Sequence, residues 1–405
     1  MNALQEEIRM QIQEKVLERM NYETETSDGE VLALIDEEVI AEASKRTLTL
    51  TERKTIREEI FHALRGLDAL QRILDDHGIT EVMINGPEQI FIERGGRIVP
   101  YGGHFSSAEK LQDVIQQIVA RCNRVVNESS PVVDARLPDG ARVNVVMAPV
   151  ALNGPFVTIR RFPEEPITVG DLLAFGALSE EMAAFLRQLV TARYNLFVSG
   201  GTGSGKTTFL NALSSFIPHD ERIITIEDNA ELQIRQIANL VRMEARDKNV
   251  DGCKEISIRD LIKASLRMRP DRIIVGEVRG AEAIDMIQAM NTGHDGSMST
   301  GHANSAMDML RRLETMILMG IDLPLSAIRA QLSSGLDILI HLGRLRDGSR
   351  KVLGIFEVGD LVQGEYTLTP LYQFYETGEE DGKVKGHWIR EGDLTALAKL
   401  EAAGL

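Results

Sequence analysis

Hydrophobic positions in the first part of the chain recur at helical spacing between charged residues. One-sided apolar stripes of this kind are typical of amphipathic helices. A polar segment over residues 22–30 interrupts the pattern, so a small helical bundle is favoured over a coiled coil, which needs sustained heptads. We therefore predict a helical N-terminal domain over residues 1–76. The stripes consist of Ile8, Ile12 and Val16 and, further on, of Ile56, Ile60 and Leu64.

Short apolar runs bounded by turn residues then replace the helical stripes, which predicts an α+β domain over residues 77–162. Ser106, with Glu109 three residues later, predicts a capping box that opens a helix. The sequence Pro138-Asp139-Gly140 predicts a hairpin turn. The predicted strands cover residues 79–84, 90–93, 132–137, 142–147 and 156–162.

Residues 163–178 are predicted to be a linker, because Pro163-Glu164-Glu165-Pro166 combines two prolines with an abrupt loss of the strand pattern. Helical segments and short apolar runs alternate after it. This alternation predicts a mostly parallel sheet with helices on both faces over residues 179–405. The overall fold class is therefore α/β.

Composition limits the cellular compartment and the kinds of partner that we expect for this protein. No apolar run approaches the roughly 20 residues that cross a bilayer, and the N-terminus lacks the basic and apolar regions of an export signal. The 405 residues include only two cysteines, Cys122 and Cys253, which fits a reducing cytosol. The net charge of −16 argues against a nucleic-acid partner, because polyanion binding needs clustered cations. We expect a cytoplasmic protein.

The most specific motif lies between an apolar run, Leu196-Phe197-Val198, and a predicted helix. Residues 200–207 match the phosphate-binding loop pattern G-x-x-x-x-G-K-[ST] in its required strand–loop–helix context. Backbone N–H groups and the helix N-terminus would hold a phosphate chain. Lys206 would reach the β- and γ-phosphates, and the Thr207 hydroxyl would bind Mg²⁺. The predicted nucleotide-binding residues are Gly201, Thr202, Gly203, Ser204, Gly205, Lys206, Thr207 and Thr208.

Acidic residues end two later apolar strands. Glu227 and Asp228 close the run 222–228, and Glu277 closes the run 271–277. In open α/β sheets, ligands lie beyond the carboxyl ends of the strands. A carboxylate at that place can align an attacking water or hold Mg²⁺. A pair of ordinary surface acids is the alternative.

The polar segment 292–305 carries two histidines. An imidazole near a phosphate can act as a sensor, and this interpretation is favoured for His302, whereas it stays open for His294. A metal site is conceivable, but the glycine content indicates a loop rather than a rigid chelate.

Two sets of arginines could neutralise phosphate charge if the preceding domain closes over a nucleotide. A salt-bridged or solvated strand face is the alternative for both. One set surrounds the Glu277 strand and the other lies on the strands of the α+β domain: Arg267, Arg269, Arg272 and Arg279, and Arg136, Arg142, Arg160 and Arg161.

The order of these motifs resembles the secretion ATPase superfamily of type II secretion, type IV secretion and type IV pilus motors. Residues 200–207, 225–228, 275–279 and 301–305 are similar to that family's Walker A, Asp box, Walker B and His box. Three further segments, 134–140, 158–162 and 266–272, resemble the CpaF branch, which drives Tad/Flp pilus assembly.

The resemblance implies a RecA-like P-loop ATPase domain preceded by a small, PAS-like α+β domain and a helical N-terminal extension. It also implies a homo-hexamer that uses ATP and Mg²⁺, releases ADP and docks on an inner-membrane platform protein, so membrane association would be peripheral. Carried over by motif, Lys206 and Thr207 bind phosphate and metal, Glu227 is the catalytic carboxylate, and Glu277 polarises water or metal. By the same motifs, His302 senses the γ-phosphate, and the charge neutralisers are Arg136, Arg142 and Arg160.

Three alternatives remain at this point. A nucleic-acid-stimulated RecA-like translocase would share the core, although the acidity and the 5% aromatic content disfavour it. A scaffold that binds ATP without hydrolysing it is the second. A type II or type IV secretion motor is the third, although type II motors often carry a four-cysteine zinc element that two cysteines cannot form.

Overall fold

The computed structural model describes residues 3–20, 27–46, 48–122, 124–137, 140–161, 165–246 and 254–405. It divides into two compact units, Met1–Pro163 and Glu164–Leu405. Some predicted features lie outside the described residues: Pro138 and Asp139 of the hairpin turn, Pro163 and Glu164 of the linker, and Cys253.

The first unit begins with four helices: α1 Ala3–Arg19, α2 Asp28–Ala43, α3 Leu50–Arg65 and α4 Ala69–Asp75. Ser27 and Thr49 each form a capping box, which satisfies backbone donors at the starts of α2 and α3. The apolar stripes meet in one buried cluster that includes Ile12, Ile35 and Ile60. Burial of these stripes holds the three long helices together.

An antiparallel sheet and one helix follow in the same unit: β1 Ile79–Asn85, β2 Ile90–Arg94, β3 Arg97–Pro100, α5 Ala108–Arg121, β4 Val132–Arg136, β5 Arg142–Val146 and β6 Phe156–Arg160. The strand order is β3-β2-β1-β6-β5-β4, and helix α5 packs its apolar side against the sheet in a shared core.

Helix α5 is capped by Ser107, whose Oγ accepts from Lys110 N at 3.1 Å. The capping box expected at Ser106 was therefore wrong by one residue, and Ser106 Oγ donates instead to Asp68.

The second unit starts with a helix inside the segment predicted as a linker. Thr168 caps this helix, and Leu172 and Leu178 join the core of the second unit. The first half of the unit consists of α6 Val169–Ala174, α7 Glu180–Thr191, β7 Leu196–Gly200, α8 Lys206–Ser214, β8 Ile223–Glu227, β9 Leu240–Glu244, α9 Ile258–Ser265 and β10 Arg272–Val275. The second half consists of α10 Glu282–Asn291, β11 Met298–His302, α11 Ala306–Gly320, α12 Leu325–Gly335, β12 Ile338–Arg344, β13 Arg350–Val362, β14 Glu365–Glu380, β15 Lys383–Arg390 and α13 Ala398–Ala403.

These strands form one sheet in the order β15-β14-β13-β12-β7-β11-β10-β8-β9. The pairs from β12 to β9 are parallel, and β13 to β15 add antiparallel strands at one edge. Leu196 and Val198 belong to one buried cluster and Phe197 to another, so alternate residues of β7 face opposite cores. Burial on both faces explains the continuous apolar run.

The loop expected over the polar segment 292–305 was wrong in its middle. Met298–His302 is strand β11, between β7 and β10. The hydrophobic pattern missed it because its three central residues, Ser299, Thr300 and Gly301, are small and not hydrophobic although they are buried. Gly301 shows why small residues are needed, since a Cβ there would lie 2.9 Å from both Met309 and Phe197 side chains. Among the described residues, no helix combines the length and the apolar character of a membrane span.

Candidate functional site

The loop between β7 and α8 is shaped by glycine. A Cβ on Gly200 would lie 2.5 Å from the backbone oxygen of Leu342, so the chain can leave β7 here only without a side chain. Gly205 occupies the N-cap of α8 with a left-handed backbone (φ 90°) and offers no capping side chain. The first N–H groups of α8 are thus presented to a ligand, and a helix N-terminus favours an anion.

Parallel pairing brings the predicted motifs to one edge of the sheet. His302 is the register partner of Gly200, and Val275, two residues before Glu277, pairs with Ile226. Because the carboxyl ends of parallel strands meet at the same edge, the phosphate loop, both acids and His302 follow neighbouring strands.

Lys206, His302 and Glu277 form a continuous contact chain at this edge. Lys206 Nζ lies 3.1 Å from His302 Nδ1, and His302 Nε2 lies 2.9 Å from Glu277 Oε1. Lys206 Nζ also donates to the carbonyl oxygen of Gly201 at 3.1 Å. The ammonium group is therefore held between a backbone carbonyl and an imidazole.

The chemistry of the partners fixes where the protons lie. An ammonium can only donate, so in a neutral His302 the Nδ1 atom accepts from Lys206 and the proton lies on Nε2, the nitrogen 2.9 Å from Glu277 Oε1. Burial lowers the pKa of His302; Glu277 raises it, and Lys206 and Arg279 lower it. Burial also lowers the pKa of Lys206. A buried cation with a neutral imidazole beside it is a suitable partner for a phosphate.

Arg279 joins the site beside Glu277. Its Nη2 lies 2.7 Å from Glu277 Oε2, and its Nη1 lies 3.8 Å from Asp228. Arg272, from the same arginine set, has a different role: it is fully buried and donates to Glu221 Oε1 at 2.8 Å and to the Val190 carbonyl at 2.7 Å. The suggestion that Arg272 neutralises phosphate was therefore wrong, because both sides of its guanidinium are used inside the core.

Glu227 is a buried acid, only 2% exposed. Its Oε1 accepts from the backbone N–H groups of Glu231 and Leu232, both at 2.9 Å. Its Oε2 is buried and has no hydrogen-bond partner among the described residues. Burial raises the pKa of Glu227 to about 7, although the two backbone bonds lower it. A carboxyl that changes protonation near neutral pH, with one free oxygen, can exchange a proton with a bound water.

The remaining residues predicted to bind the nucleotide lie in the loop and in the first turn of α8. Ser204 Oγ donates to the Gly201 carbonyl at 2.9 Å, which closes the loop on itself. Thr207 and Thr208 stand in the first turn of α8, next to Lys206. Thr202 and Gly203 lie in the loop between β7 and α8.

The three arginines predicted as charge neutralisers lie in the first unit. Arg136 is directly opposite Arg142, and Arg142 is directly opposite Arg160. Directly opposed residues share a face of the sheet, so the three side chains form a row across β4, β5 and β6. The sequence did not show this row, because it depends on the hairpin register.

His294 has a local role in the fold. Its Nδ1 lies 3.2 Å from the Ala289 carbonyl at the end of α10. Within the described part of the chain, no group of three His, Cys, Asp or Glu residues could hold a metal ion. The Thr207 hydroxyl and the Glu277 carboxylate remain the residues that suit Mg²⁺, since oxygen donors that share the ion with phosphate are what it prefers.

Two residues at the site were not foreseen from the sequence. Arg350 Nε donates to the Gly203 carbonyl at 2.8 Å, and His341 Nδ1 lies 2.9 Å from Ser199 Oγ. Both come from the β12–β13 hairpin, and each lies more than 140 residues after its partner in the chain. No local pattern marks them, because β12 becomes a neighbour of β7 only in the folded sheet.

Comparison with known proteins agrees with this architecture. A family profile described as "Type II/IV secretion system protein" matches residues 63–364. A putative conjugal transfer protein of Mycobacterium tuberculosis is 35% identical over 298 residues, which cover 72% of this chain and 84% of that protein.

Two solved structures share the RecA-like fold. The ATPase DotB of Legionella pneumophila has a TM-score of 0.53 at 21% identity, covering 71% of this chain and 80% of its own. The pilus retraction motor PilT with bound ADP has a TM-score of 0.52 at 21% identity, covering 75% and 82%. The family match extends over most of the chain and includes every motif at the sheet edge. The chain therefore belongs to the type II/IV secretion system protein family.

Proposed function

We propose that this protein is a cytoplasmic motor that hydrolyses ATP to ADP and phosphate and couples this reaction to pilus assembly or protein secretion. The contact chain Lys206–His302–Glu277 carries the proposal, because it places a cation, an imidazole and an acid beside the phosphate loop. Family membership and the ADP bound to the structurally similar PilT support a nucleotide as the ligand.

In this proposal, His302 and the Gly201 carbonyl hold Lys206 until a triphosphate takes their place. The ammonium group then binds the β- and γ-phosphates, and the imidazole is released, so that it can take up a proton on Nδ1 and donate it in a hydrogen bond to the terminal phosphate. Loss of that phosphate on hydrolysis would let Lys206 return to His302. The two positions of one ammonium group would thus report whether the γ-phosphate is present.

The two acids have different surroundings and, we propose, different roles. Glu227 accepts the proton of the attacking water, because burial raises its pKa to about 7 and leaves one oxygen free. Glu277, which is paired with Arg279 and His302, holds Mg²⁺ together with Thr207. The ion supplies charge neutralisation at the β- and γ-phosphates when it is bound.

Phosphate release by the purified protein tests the activity. Wild type should release phosphate from ATP with Mg²⁺, Lys206→Ala should bind and hydrolyse poorly, and Glu227→Gln should bind ATP without hydrolysing it. Arg346→Ala is a matched control, since its guanidinium pairs with Glu376 and Glu379. Normal turnover by Glu227→Gln would move the proton-accepting role to Glu277, and binding of ATP by wild type without any hydrolysis would indicate a scaffold.

The row formed by Arg136, Arg142 and Arg160 is proposed to neutralise phosphate charge from the first unit when ATP draws the two units together. Arg136→Ala should lower turnover more than it weakens ATP binding. Small-angle scattering with and without a non-hydrolysable ATP analogue tests the domain closure. An unchanged scattering profile would contradict it.

The proposal also covers the oligomeric state and the partners of the protein. We propose a homo-hexamer that acts on an inner-membrane platform protein, of the kind used in Tad/Flp pilus assembly, with peripheral membrane association through that partner. A type IV secretion motor is the second candidate, because the Mycobacterium tuberculosis relative is named as a putative conjugal transfer protein. Sedimentation with ATP tests the hexamer. Neighbouring reading frames that encode prepilin and a platform protein would favour the pilus motor, whereas stimulation of hydrolysis by single-stranded DNA would favour a translocase.

A further inference from the structure

A second half-buried histidine lies near the site, on the strand next to β7. His341 on β12 is the register partner of Ser199 on β7. Its Nδ1 lies 2.9 Å from Ser199 Oγ, and the Ser199 side chain is completely buried. Ser199 immediately precedes Gly200, so this contact fixes the last side chain before the phosphate loop.

The same imidazole also contacts the segment that follows His302. Burial lowers the pKa of His341, and a hydrogen bond to the Asn304 backbone raises it in part. A backbone carbonyl can only accept, so the ring nitrogen facing Asn304 carries the proton. In the neutral imidazole the other nitrogen, Nδ1, is then an acceptor for the Ser199 hydroxyl, whose oxygen lies 2.9 Å from Nδ1 and 3.3 Å from the Ile340 carbonyl oxygen. The imidazole thus lies between Ser199 and the Asn304 backbone.

Ser199 lies in β7 and Asn304 follows β11, and the ends of these two strands meet at the candidate site. Ser199 stands one residue before Gly200, and Asn304 stands two residues after His302. Gly200 and His302 are themselves register partners, and Lys206 Nζ contacts His302 across this junction. The position of His302 relative to Lys206 thus depends on how the ends of β7 and β11 are held.

We propose that His341 is a positioning residue that ties the phosphate-loop strand to the His302 segment and so sets the distance between His302 and Lys206. The inference rests on the proposed ATPase function. His341 touches neither the loop amides nor the two acids in this arrangement, so its effect passes through Ser199, Asn304 and then His302. Substitution of His341 should therefore slow the steps that need contact between His302 and the γ-phosphate, and it should leave the affinity for ADP unchanged.

A double-mutant cycle on turnover tests this role. The variants are His341→Ala and Ser199→Ala, each in the wild-type and His302→Ala backgrounds. Loss of one buried hydrogen bond should lower kcat about five- to tenfold in the wild-type background, with little change in ADP affinity. In the His302→Ala background the same substitutions should lower kcat less than twofold, because the residue that they position is already absent.

Conservative and control variants separate positioning from a general loss of stability. His341→Asn, whose amide can occupy the place of Nδ1, should recover part of the kcat that His341→Ala loses. Ser297→Ala is the matched control: Ser297 Oγ accepts from Ile273 N, and this buried bond lies at the opposite end of β11. Its loss should destabilise the protein and leave kcat unchanged.

The outcomes distinguish this inference from the proposed function. Suppose that wild type hydrolyses ATP and that the losses of kcat from His341→Ala and His302→Ala multiply in the double variant. His341 is then only structural, and the inference is wrong. The same conclusion follows if the ADP affinity of His341→Ala falls in parallel with its kcat. If Ser199→Ala, which removes a single hydroxyl, leaves kcat unchanged, the inference is also wrong. If wild type releases no phosphate at all, the proposed function fails first.

Discussion

The Nδ1 atom of His302 lies 3.1 Å from Nζ of Lys206, so two groups that sequence motifs assign to phosphate contact each other directly. The contact is favourable only while the imidazole is neutral, because a protonated ring would face an ammonium at hydrogen-bond distance. Glu277 Oε1 lies 2.9 Å from Nε2 of the same ring. In this arrangement the Lys206 ammonium is held beside the phosphate loop. Two contacts connect the three motifs that carry Lys206, His302 and Glu277.

Removal of Lys206 should raise the pKa of His302. Burial lowers that pKa, Glu277 raises it, and the charges of Lys206 and Arg279 lower it, so Lys206→Ala deletes one lowering contribution. The ring-proton signals of His302, followed by NMR against pH in the nucleotide-free protein, should titrate at higher pH in the variant. His341 is the internal control, because Lys206 does not contribute to its pKa. An unshifted His302 would contradict the close contact.

Glu227 should make the stability of the nucleotide-free protein fall as pH rises. Its pKa is about 7 in the folded state and 4.5 in the reference state, so the unfolded chain binds fewer protons between these values. The loss of unfolding free energy from pH 4.5 to 7 is about 3 kcal/mol. In Glu227→Gln this contribution should be absent, and the variant should gain stability relative to wild type as pH rises.

Urea unfolding at pH 5 and pH 7.5 measures this difference. Glu88→Gln, at an exposed position, is the control and should follow wild type at both values. A constant difference between Glu227→Gln and wild type across the range would show that Glu227 ionises as it does in the unfolded chain.

Two neighbouring glycines of the loop should differ sharply in their tolerance of a methyl group. A Cβ on Gly200 would lie 2.5 Å from the Leu342 backbone oxygen, whereas a Cβ on Gly201 meets nothing within 4 Å. Gly200→Ala should lose about 1–3 kcal/mol of stability and bind ATP weakly, because the backbone of β12 cannot move aside without disturbing the sheet. The melting temperature of Gly201→Ala should remain close to that of wild type. Thermal unfolding compares the two variants, and equal melting temperatures would refute the close approach.

Arg350 should stabilise the loop conformation that binds phosphate. Its Nε donates to the Gly203 carbonyl at 2.8 Å, and one such bond contributes about 1 kcal/mol, so Arg350→Ala should weaken ATP binding about fivefold. Arg346→Ala removes the same charge from the same hairpin but leaves the loop untouched, because Arg346 pairs with Glu376 and Glu379. Titration with a fluorescent nucleotide compares the two. Equal weakening of ATP binding in both variants would indicate a general effect of charge and not a stabilisation of the loop by the Arg350 hydrogen bond.

Much of the site could be predicted because its parts are local. The loop from Gly200 to Thr207 is contiguous and is flanked by a strand and a helix, and Glu227 and Glu277 follow apolar runs that are long enough to recognise. Strand β11 was missed, because no hydrophobic pattern marks it. Ser299, Thr300 and Gly301 are buried there although they are not hydrophobic, and the space around Gly301 admits only a small residue. The functional interpretation of Arg272 was wrong, because this side chain pairs with the buried Glu221. The sequence could not indicate the pair, since the two residues lie 51 positions apart in the chain.

The sequence by itself determined which chemical groups this protein carries and that they follow strand ends, since a motif and an apolar run are properties of adjacent residues. Only the tertiary structure decided which groups meet. The sheet places β12, β7 and β11 side by side although they are far apart in the chain. That order brings His302 to Lys206, Arg350 to Gly203 and His341 to Ser199. The physical reason is that strand order follows from the burial of whole faces against two cores, which no local spacing records.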